Sequence, residues 1–262
     1  MYIGLISYTQ DAKRLLALSK RTRHLVGKSA WDDVKAMSEE ELDEEIKYVF
    51  GTIGSSWEFV DYTFLICGVT RAFTHQLVRH RVGVAFAQQA QRVGTQEGFD
   101  YMTPPNILDD KELYHVYRMG MLGINEKYSE LISRGAKQQD ARGLLPTNIL
   151  TNILFKVNLR ALSDILTVRL CLRAQGEFRN VAKHMQKLVV GVHPWVSPIL
   201  QPNCLRYNHC KFPRYEKCPI SNEFPHLRND AGKSVMEMFN SLDDDLDFQP
   251  DPKTDYGEKK DG

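Results

Sequence analysis

The chain has 262 residues, of which 42% are hydrophobic and 26% are charged, and its formal net charge is +1. These values predict a globular protein with one large domain or two small ones, and they argue against a general nucleic-acid coat, which would carry a large positive charge. The sequence has neither an apolar run long enough to cross a membrane nor a basic-then-apolar leader, so we expect neither membrane insertion nor export.

The first part of the chain shows strand and helix patterns in alternation. Residues 2–9 are typical of a short strand, and Asp11 is predicted to cap the helix that follows. Residues 38–50 predict a second helix, whose acidic run lies mostly in the first turns and is expected to face solvent. Residues 57–70 are rich in aromatic and β-branched residues and favour a strand that ends at Gly68. The core-facing residues of the first helix are predicted to be Leu15, Leu16, Leu18 and Val26.

The middle of the chain begins with a short helix that starts at residue 71 and leads to Arg79. Residues 86–93 are interpreted as a second strand of this region. Residues 109–134 show helical periodicity, and Gly135 follows as a plausible C-cap. The apolar residues that create this periodicity are Leu113, Val116, Tyr117, Met121, Ile124 and Leu131.

The last part of the chain changes character after residue 193. Residues 147–157 favour a strand, and residues 160–190 favour a long helix in which Gly176 marks a break. An acidic tail without apolar periodicity follows, and we expect residues beyond about 240 to be mobile. The simplest organisation is therefore one α/β domain over residues 1–195 and a Cys- and Pro-containing extension over 196–262.

Arginines are concentrated around the sequence Arg79-His80-Arg81, which predicts an anion site. An isolated triplet of this kind is more often a solvated basic turn. Arg169 and Arg173 stand at i and i+4 of the predicted helix, where like charges repel unless an anion or a carboxylate such as Glu177 offsets them. The further arginines are Arg92, Arg142, Arg160 and Arg179, and the amides among them are Gln76, Gln88, Gln89, Gln91, Asn158 and Gln175.

Amides paired with arginines suit the edge of a planar heterocycle that carries a phosphate. The pattern therefore predicts a nucleotide-like ligand. Neither GxGxxG nor a P-loop is found, so a Rossmann or Walker arrangement is not expected. No Ser-His-Asp or Cys-His spacing indicates a covalent hydrolase either.

Three motifs in order resemble those of the flavin-dependent thymidylate synthases, over most of residues 1–190. The first is the Arg79-His80-Arg81 triplet followed by QQAQR at residues 88–92, which is similar to the QQSQR form of the family. The second, RxxLP, is matched at residues 142–146. The third is matched by NLR at residues 158–160 and VRLCLRAQGEFR at residues 168–179.

The resemblance implies a single domain with a small, mostly antiparallel sheet flanked by long helices. It implies a homotetramer with shared active sites, in which FAD, NADPH and 5,10-methylenetetrahydrofolate convert dUMP into dTMP. The dUMP-binding residues carried over by position are Gln76, Gln88, Gln89, Ala90, Arg92, Arg142 and Arg169, with Arg169 as the catalytic residue. The FAD-binding residues are Ser55, Arg79, His80, Arg81, Asn158, Arg160 and Asp164, and no metal is implied.

The chain departs from the family pattern at three places. Ala90 stands where the family has a serine, and eight residues separate it from Arg81 where the family has seven, which predicts an inserted residue near Gly83. In the family motif GHxSxxEH, this chain retains Ser55 and Glu58 but neither histidine. Asp164, one helical turn after Arg160, is expected to pair with that arginine.

These departures leave two alternatives to thymidylate synthesis. A divergent relative could modify pyrimidine C5 differently, for instance by hydroxymethylation. A non-catalytic nucleotide-binding protein is the other alternative, and the retained arginine set argues against it, because clustered cations without a ligand are costly.

The cysteines raise the separate question of whether the chain contains disulfides, free thiols or a zinc site. Five are present, an odd number that predicts reduced thiols and a cytoplasmic location. Cys204, His209, Cys210 and Cys218 have side chains that zinc prefers, but their spacing lacks a close pair. We therefore expect free thiols in the extension rather than a structural metal.

Overall fold

The computed structural model describes residues 1–23, 29–207 and 210. The strands are β1 (Tyr2–Tyr8), β2 (Asp61–Thr70), β3 (Val84–Gln88) and β4 (Leu150–Asn158). The helices are α1 (Ala12–Arg21), α2 (Ser29–Lys35), α3 (Glu39–Thr52), α4 (Arg71–Leu77), α5 (Pro105–Leu108), α6 (Lys111–Ser133), α7 (Gln138–Ala141), α8 (Leu159–Arg169), α9 (Gly176–Val192) and α10 (Asn203–Arg206). Short 3-10 helices span Gly54–Phe59, Arg142–Leu144 and Pro194–Ile199.

The sheet has the strand order β1-β2-β4-β3, and every neighbouring pair is antiparallel. Helices α8 and α9 pack against it. Phe155 on β4 stacks with Phe64 on β2 and with Phe86 on β3, at ring-centroid distances of 6.3 and 5.2 Å. The predicted α/β domain with a small, mostly antiparallel sheet is confirmed. Alternate residues face the core along both central strands: Tyr62, Phe64, Ile66, Ile153, Phe155 and Val157.

Strand β2 begins and ends later than predicted. Residues 57–59 belong to a 3-10 helix, and the strand runs from Asp61 to Thr70. Gly68 does not end it. The register with β4 shifts between Ile66 and Val69, and Gly68 has a φ of +69° there. A bulge needs a residue that tolerates the left-handed region, so the glycine marks an irregularity inside the strand.

Strand β3 ends at Gln88, so the prediction that Arg92 lies on a strand is wrong. The strand stops there because another segment of the chain already pairs with the edge of β4 that a longer β3 would need. The backbone N–H of Leu150 donates to the carbonyl of Asp100 at 2.8 Å, and Tyr101 forms a bridge with Ile149. Residues 100 and 101 therefore occupy the edge that a longer β3 would need.

The start of α1 differs from the prediction. Asp11 precedes the helix, but its φ is +50° and its side chain makes no capping hydrogen bond. Leu16 is fully buried, whereas Leu15 and Leu18 are half-buried. Val26 lies outside the described residues.

The acidic run of α3 is predicted to face solvent, but part of it forms ion pairs with α1. Ser38 caps the helix in a capping box with Glu41. Glu45 lies 2.5 Å from Nζ of Lys20 and 3.1 Å from Nη2 of Arg21, both on α1. Burial alone would raise the pKa of Glu45, but the hydrogen bonds and charges of these two residues lower it. Ion pairs therefore help to hold α1 against α3.

Helix α6 is continuous, and it ends as predicted. Gly135, at a φ of +91°, donates its N–H to Ile132 O, and the next N–H bonds to Leu131 O, which is a Schellman motif. Not all of the apolar face is buried, however. Met121 packs with a small cluster around Tyr101, whereas Leu113 and Val116 are 50% and 69% exposed. Tyr117 and Ile124 pack partly against the same cluster, and Leu131 is exposed.

The predicted long C-terminal helix is two helices. The first ends at Arg169, and the second begins at Gly176. Arg173 lies in the connection, so it and Arg169 are not an i and i+4 pair on one helix. Glu177 accepts hydrogen bonds from Thr70 instead of serving as an i+4 partner of Arg173 on a helix.

Residues near the end of the described chain pack on α8. Arg206 on α10 donates to Thr167 Oγ1 at 3.2 Å, and its guanidinium lies 5.4 Å from the ring centroid of Trp57. Cys204 packs against the main core. His209, Cys218 and the tail beyond residue 240 lie outside the described residues.

Cys67 and Cys171 are free thiols, and the described part of the chain contains no group of three or more metal-binding side chains. Among the described helices, none combines the length and apolarity that a membrane span requires.

A buried histidine ends α9. Nδ1 of His193 lies 2.9 Å from the hydroxyl of Tyr62, and its ring contacts Tyr8 and Trp195. Burial lowers the pKa of His193 below its ordinary value of 6.5.

We expect His193 to make the folded state less stable in acid. The unfolded chain binds a proton at pH values below about 6.5, whereas the folded chain resists protonation until lower pH, so stability falls as the pH drops through this range. His193→Gln should flatten the decrease in melting temperature between pH 7 and pH 5. His184→Gln, an exposed site on the same helix, is the control and should keep the wild-type dependence. An unchanged slope in His193→Gln would contradict this assignment.

Candidate active site

The candidate site is built around α4, which connects β2 to the arginine triplet. Thr70 caps this helix, because its Oγ1 accepts the N–H of Phe73 at 3.0 Å. Gln76 lies near the other end and accepts a hydrogen bond from Nη1 of Arg169 at 3.1 Å. Its amide nitrogen donates to Gln175, in the connection between α8 and α9. The structure thus brings together two of the predicted dUMP-binding residues, Gln76 and Arg169.

Arg169 is the last residue of α8, and several contacts set its position. Its guanidinium lies 4.3 Å from the ring centroid of Phe178, a cation–π contact. Burial lowers the pKa of Arg169, which remains positive at neutral pH. Its Nε is buried and has no hydrogen-bond partner in the described structure. A buried N–H of this kind is costly unless a ligand accepts its hydrogen bond.

His80 lies beside Arg169, and one of its ring nitrogens is also buried. Its ring packs edge-to-face on Phe178 at 6.3 Å, and its Nε2 is buried with no partner in the part of the chain that the structure describes. Burial and then the charge of Arg169 lower the pKa of His80, while Asp164 acts in the opposite direction. The imidazole is therefore neutral at pH 7.

Arg71 is a member of the site that the sequence analysis missed. Its Nη2 donates to the carbonyl of Gln89 at 2.6 Å, and its Nε is the third buried nitrogen of this site that lacks a partner within the described residues. Burial and the charge of Arg142 lower the pKa of Arg71. In the described part of the chain, neither arginine has a carboxylate within ion-pair distance. Two close guanidiniums without a counterion favour an anionic ligand. The available sequence signal was an arginine at the first position of the helix that leads to Arg79.

The segment after β3 is only partly connected to this site. Gln88 donates its amide to Thr74 Oγ1 at 2.8 Å, and Gln89 is held by Arg71. Ala90 and Arg92 are exposed, and no hydrogen bond or ion pair within the described chain joins Arg92 to the other predicted residues. Strand β3 pairs with β4 in continuous register, so the extra residue relative to the family motif is not a bulge within this strand.

The predicted FAD-binding residues lie along the start of α8 and the neighbouring turns. Asn158 is buried and caps α8, because its Oδ1 accepts the N–H of Ala161 at 2.8 Å. Gly83, at a φ of +70°, packs directly against the Asn158 carboxamide. Arg79 and Arg81 are exposed and flank His80.

One predicted pairing in this region is wrong. Arg160 forms an ion pair with Glu58 at 2.7 Å rather than with Asp164. Glu58 reaches α8 because the 3-10 helix Gly54–Phe59 packs against it. Ser55, in the same 3-10 helix, accepts a hydrogen bond from Arg23 at 3.1 Å.

The family model described as thymidylate synthase complementing protein matches residues 4–195. The chain belongs to this family. Its relatives include the flavin-dependent thymidylate synthase of Sulfurisphaera tokodaii, which is 34% identical over 212 residues, 78% of this chain and 79% of that protein. The flavin-dependent thymidylate synthase of Pyrococcus furiosus is 34% identical over 218 residues, 79% of this chain and 88% of that protein. The family resemblance inferred from three motifs is therefore confirmed.

Solved structures are also similar to this chain. A Helicobacter pylori flavin-dependent thymidylate synthase, ThyX, complexed with FAD and dUMP, aligns with a TM-score of 0.60 and 19% identity over 77% of this chain and 100% of that chain. PolB from Streptomyces cacaoi, a UMP/dUMP methylase bound with 5-Br dUMP, aligns with a TM-score of 0.63 and 18% identity, over 76% of this chain and 93% of that chain. At these identities the likeness concerns the fold, and it agrees with the predicted architecture.

Proposed function

We propose that this chain is a flavin-dependent thymidylate synthase that methylates dUMP at C5 to give dTMP, with FAD, 5,10-methylenetetrahydrofolate and NADPH. The observation that carries the proposal is that Arg71, His80 and Arg169 each have, at this site, a buried side-chain nitrogen with no partner among the described residues. All three belong to α4, the residues just after it, or the end of α8. Such nitrogens suit the acceptor atoms of a nucleotide and a flavin.

Arg169 is the proposed catalytic residue. Its guanidinium is held by Gln76 on one side and by the Phe178 ring on another, so it is preorganised before substrate binds. Placed beside the uracil carbonyls, it would stabilise the negative charge that develops as C5 becomes nucleophilic. Gln76 would add an amide that can hydrogen-bond to the pyrimidine edge.

The dUMP phosphate is assigned to the cationic part of the site. Arg142 lies close enough to Arg71 to lower its pKa, and a phosphate would compensate both charges. Arg92 is the third proposed phosphate-binding residue. Gln88, Gln89 and Ala90 would line the substrate between these arginines and β3.

The FAD-binding assignment fits the residues present. The exposed guanidiniums of Arg79 and Arg81 would hold its phosphates, and the neutral His80 offers its buried Nε2. Arg160, Asp164 and Ser55 complete the proposed set, and Asn158 contributes by fixing the start of α8. When bound, FAD supplies the hydride chemistry, while the protein binds and orients the reactants.

The proposal includes a cytoplasmic homotetramer with active sites shared between subunits. Support comes from Arg79, Arg81 and Arg92, which are exposed on one chain although they belong to the proposed ligand-binding set. Neighbouring subunits would bring them to a common ligand.

A direct assay tests the proposed function. The purified protein is examined for flavin absorbance and then incubated with dUMP, methylenetetrahydrofolate and NADPH, and the nucleotide product is identified by mass. We expect a yellow protein that forms dTMP. A colourless protein that binds no added FAD would overturn the proposal.

A second candidate function is a different modification of pyrimidine C5, and the alanine at position 90 is the observation that favours it. Loss of a serine hydroxyl near the nucleotide removes one hydrogen bond, worth on the order of 1 kcal/mol, and enlarges the site. The same assay separates the two candidates, because a hydroxymethylated product is heavier than dTMP. Ala90→Ser would then be expected to shift the product toward dTMP.

A further inference from the structure

A buried carboxylate connects two helices of the site. Glu177, the second residue of α9, is only 2% exposed. Its carboxylate accepts the backbone N–H of Thr70 at 2.7 Å and the Thr70 hydroxyl at 2.5 Å. Thr70 is the last residue of β2 and the cap of α4. The two hydrogen bonds therefore fix the start of α9 against the start of α4.

These two helices provide the contacts of Arg169. Gln76, on α4, accepts a hydrogen bond from its Nη1, and Phe178, on α9, lies under its guanidinium. Phe178 also packs edge-to-face on Phe73 of α4 at 4.8 Å. The position of the guanidinium thus depends on how α4 and α9 are placed relative to each other.

Burial of a carboxylate at this junction is costly for the fold. Desolvation raises the pKa of Glu177, and the two hydrogen bonds from Thr70 oppose that rise. A buried ionisable group is weak evidence for stability, because an apolar residue of similar size often stabilises a protein as well or better. A role in the geometry of the site gives a reason for a carboxylate here.

We propose that Glu177 is a positioning residue that holds Arg169 in its substrate-binding geometry through Thr70. This inference rests on the proposed function, since dUMP is the ligand on which it acts. Glu177 itself does not touch the ligand in this proposal. Its effect passes through the cap of α4 to Gln76, and through the start of α9 to Phe178.

Variants at both ends of the contact test the inference. Glu177→Gln keeps the shape but removes the charge and the acceptor for the Thr70 hydroxyl. Thr70→Val removes that hydroxyl, whereas Thr70→Ser keeps it. Glu45→Gln is a matched control, because it breaks a partly buried carboxylate contact on α3, away from the site. The measurements are the dUMP dissociation constant by calorimetry, kcat and KM, flavin content and melting temperature.

We expect the dUMP dissociation constant to rise about tenfold in Glu177→Gln and in Thr70→Val, and to stay near the wild-type value in Thr70→Ser. The Glu177→Gln/Thr70→Val double variant should bind dUMP no more weakly than Thr70→Val alone, because the valine has already removed the hydroxyl that contacts Glu177, together with the cap hydrogen bond to Phe73. Glu45→Gln should lower the melting temperature without changing dUMP affinity. If Glu177→Gln does not fold, Glu177→Asp takes its place, because it keeps the charge and the cap of α4 while its shorter side chain withdraws the carboxylate from Thr70.

Two results would overturn the inference in distinguishable ways. Wild-type dUMP affinity in Glu177→Gln and Thr70→Val, with a lower melting temperature alone, would assign the contact a purely structural role and leave the proposed function intact. A wild-type protein that bound no dUMP at all would overturn the proposed function and this inference together.

Discussion

Replacement of Arg169 by alanine should weaken dUMP binding by about two orders of magnitude and lower kcat further, while FAD remains bound. The guanidinium is held between Gln76 and Phe178, and its buried Nε has no partner within the described chain. Loss of one buried charged hydrogen-bond donor costs roughly 2–5 kcal/mol in binding, and loss of a donor to developing charge costs roughly 100- to 1,000-fold in kcat. Calorimetry with dUMP, steady-state kinetics and flavin absorbance give the three measurements.

Two further variants sharpen this prediction. Arg169→Lys keeps the charge but loses the planar donor set, so dUMP affinity should recover only in part. Arg118→Ala removes an exposed arginine on α6 and should leave both ligands bound as in wild type. Equal loss of dUMP and FAD in Arg169→Ala would contradict the division of roles between Arg169 and the residues assigned to FAD.

Substitution of Gly83 by alanine should destabilise the protein and reduce its flavin content. The residue has a φ of +70°, and an added Cβ would lie 2.6 Å from Oδ1 of Asn158. The left-handed backbone alone costs an L-residue about 1–2 kcal/mol. Displacement of Asn158 from the cap of α8 adds about 1 kcal/mol, and each kcal/mol lowers the melting temperature by roughly 2–4 °C.

Gly94 provides the matched control for this substitution. Its φ is +85°, but nothing lies within 4 Å of an added Cβ. Gly94→Ala therefore carries the same kind of backbone cost without the collision, and its flavin content should stay at the wild-type level. The difference between the two variants isolates the contact with Asn158. Equal melting temperatures and equal flavin contents would show that this contact contributes neither to stability nor to cofactor binding.

Much of the fold was predictable because local patterns follow from backbone geometry. The β-branched residues that predict β4 and the Gly135 cap of α6 are both signals that lie within a few neighbouring residues. The ends of elements were less predictable. Strand β3 stops at Gln88 because residue 100 occupies the edge of β4, and no local pattern records that competition.

In the candidate site too, local motifs predicted some residues, whereas contacts between distant residues were not predictable from the sequence. Motifs around Arg79, Arg142 and Asn158 pointed to the family, because their residue types and spacing are specific. Arg71 was missed, because its role depends on the carbonyl of Gln89 and on the neighbouring charge of Arg142. The pairing of Arg160 with Glu58 joins residues 102 positions apart, and a helical spacing argument favoured the nearer Asp164 instead.

The sequence by itself determined the family and the α/β class and supplied most of the arginines and amides of the candidate site, because these depend on residue types and short-range order. Only the tertiary structure decided which of those groups touch. Arg169 meets Gln76 across 93 positions, and Glu177 meets Thr70 across 107. Contacts over such separations form only when β2, α4, α8 and α9 pack together, and the same packing encloses nitrogens of Arg71, His80 and Arg169 that have no partner within the described residues.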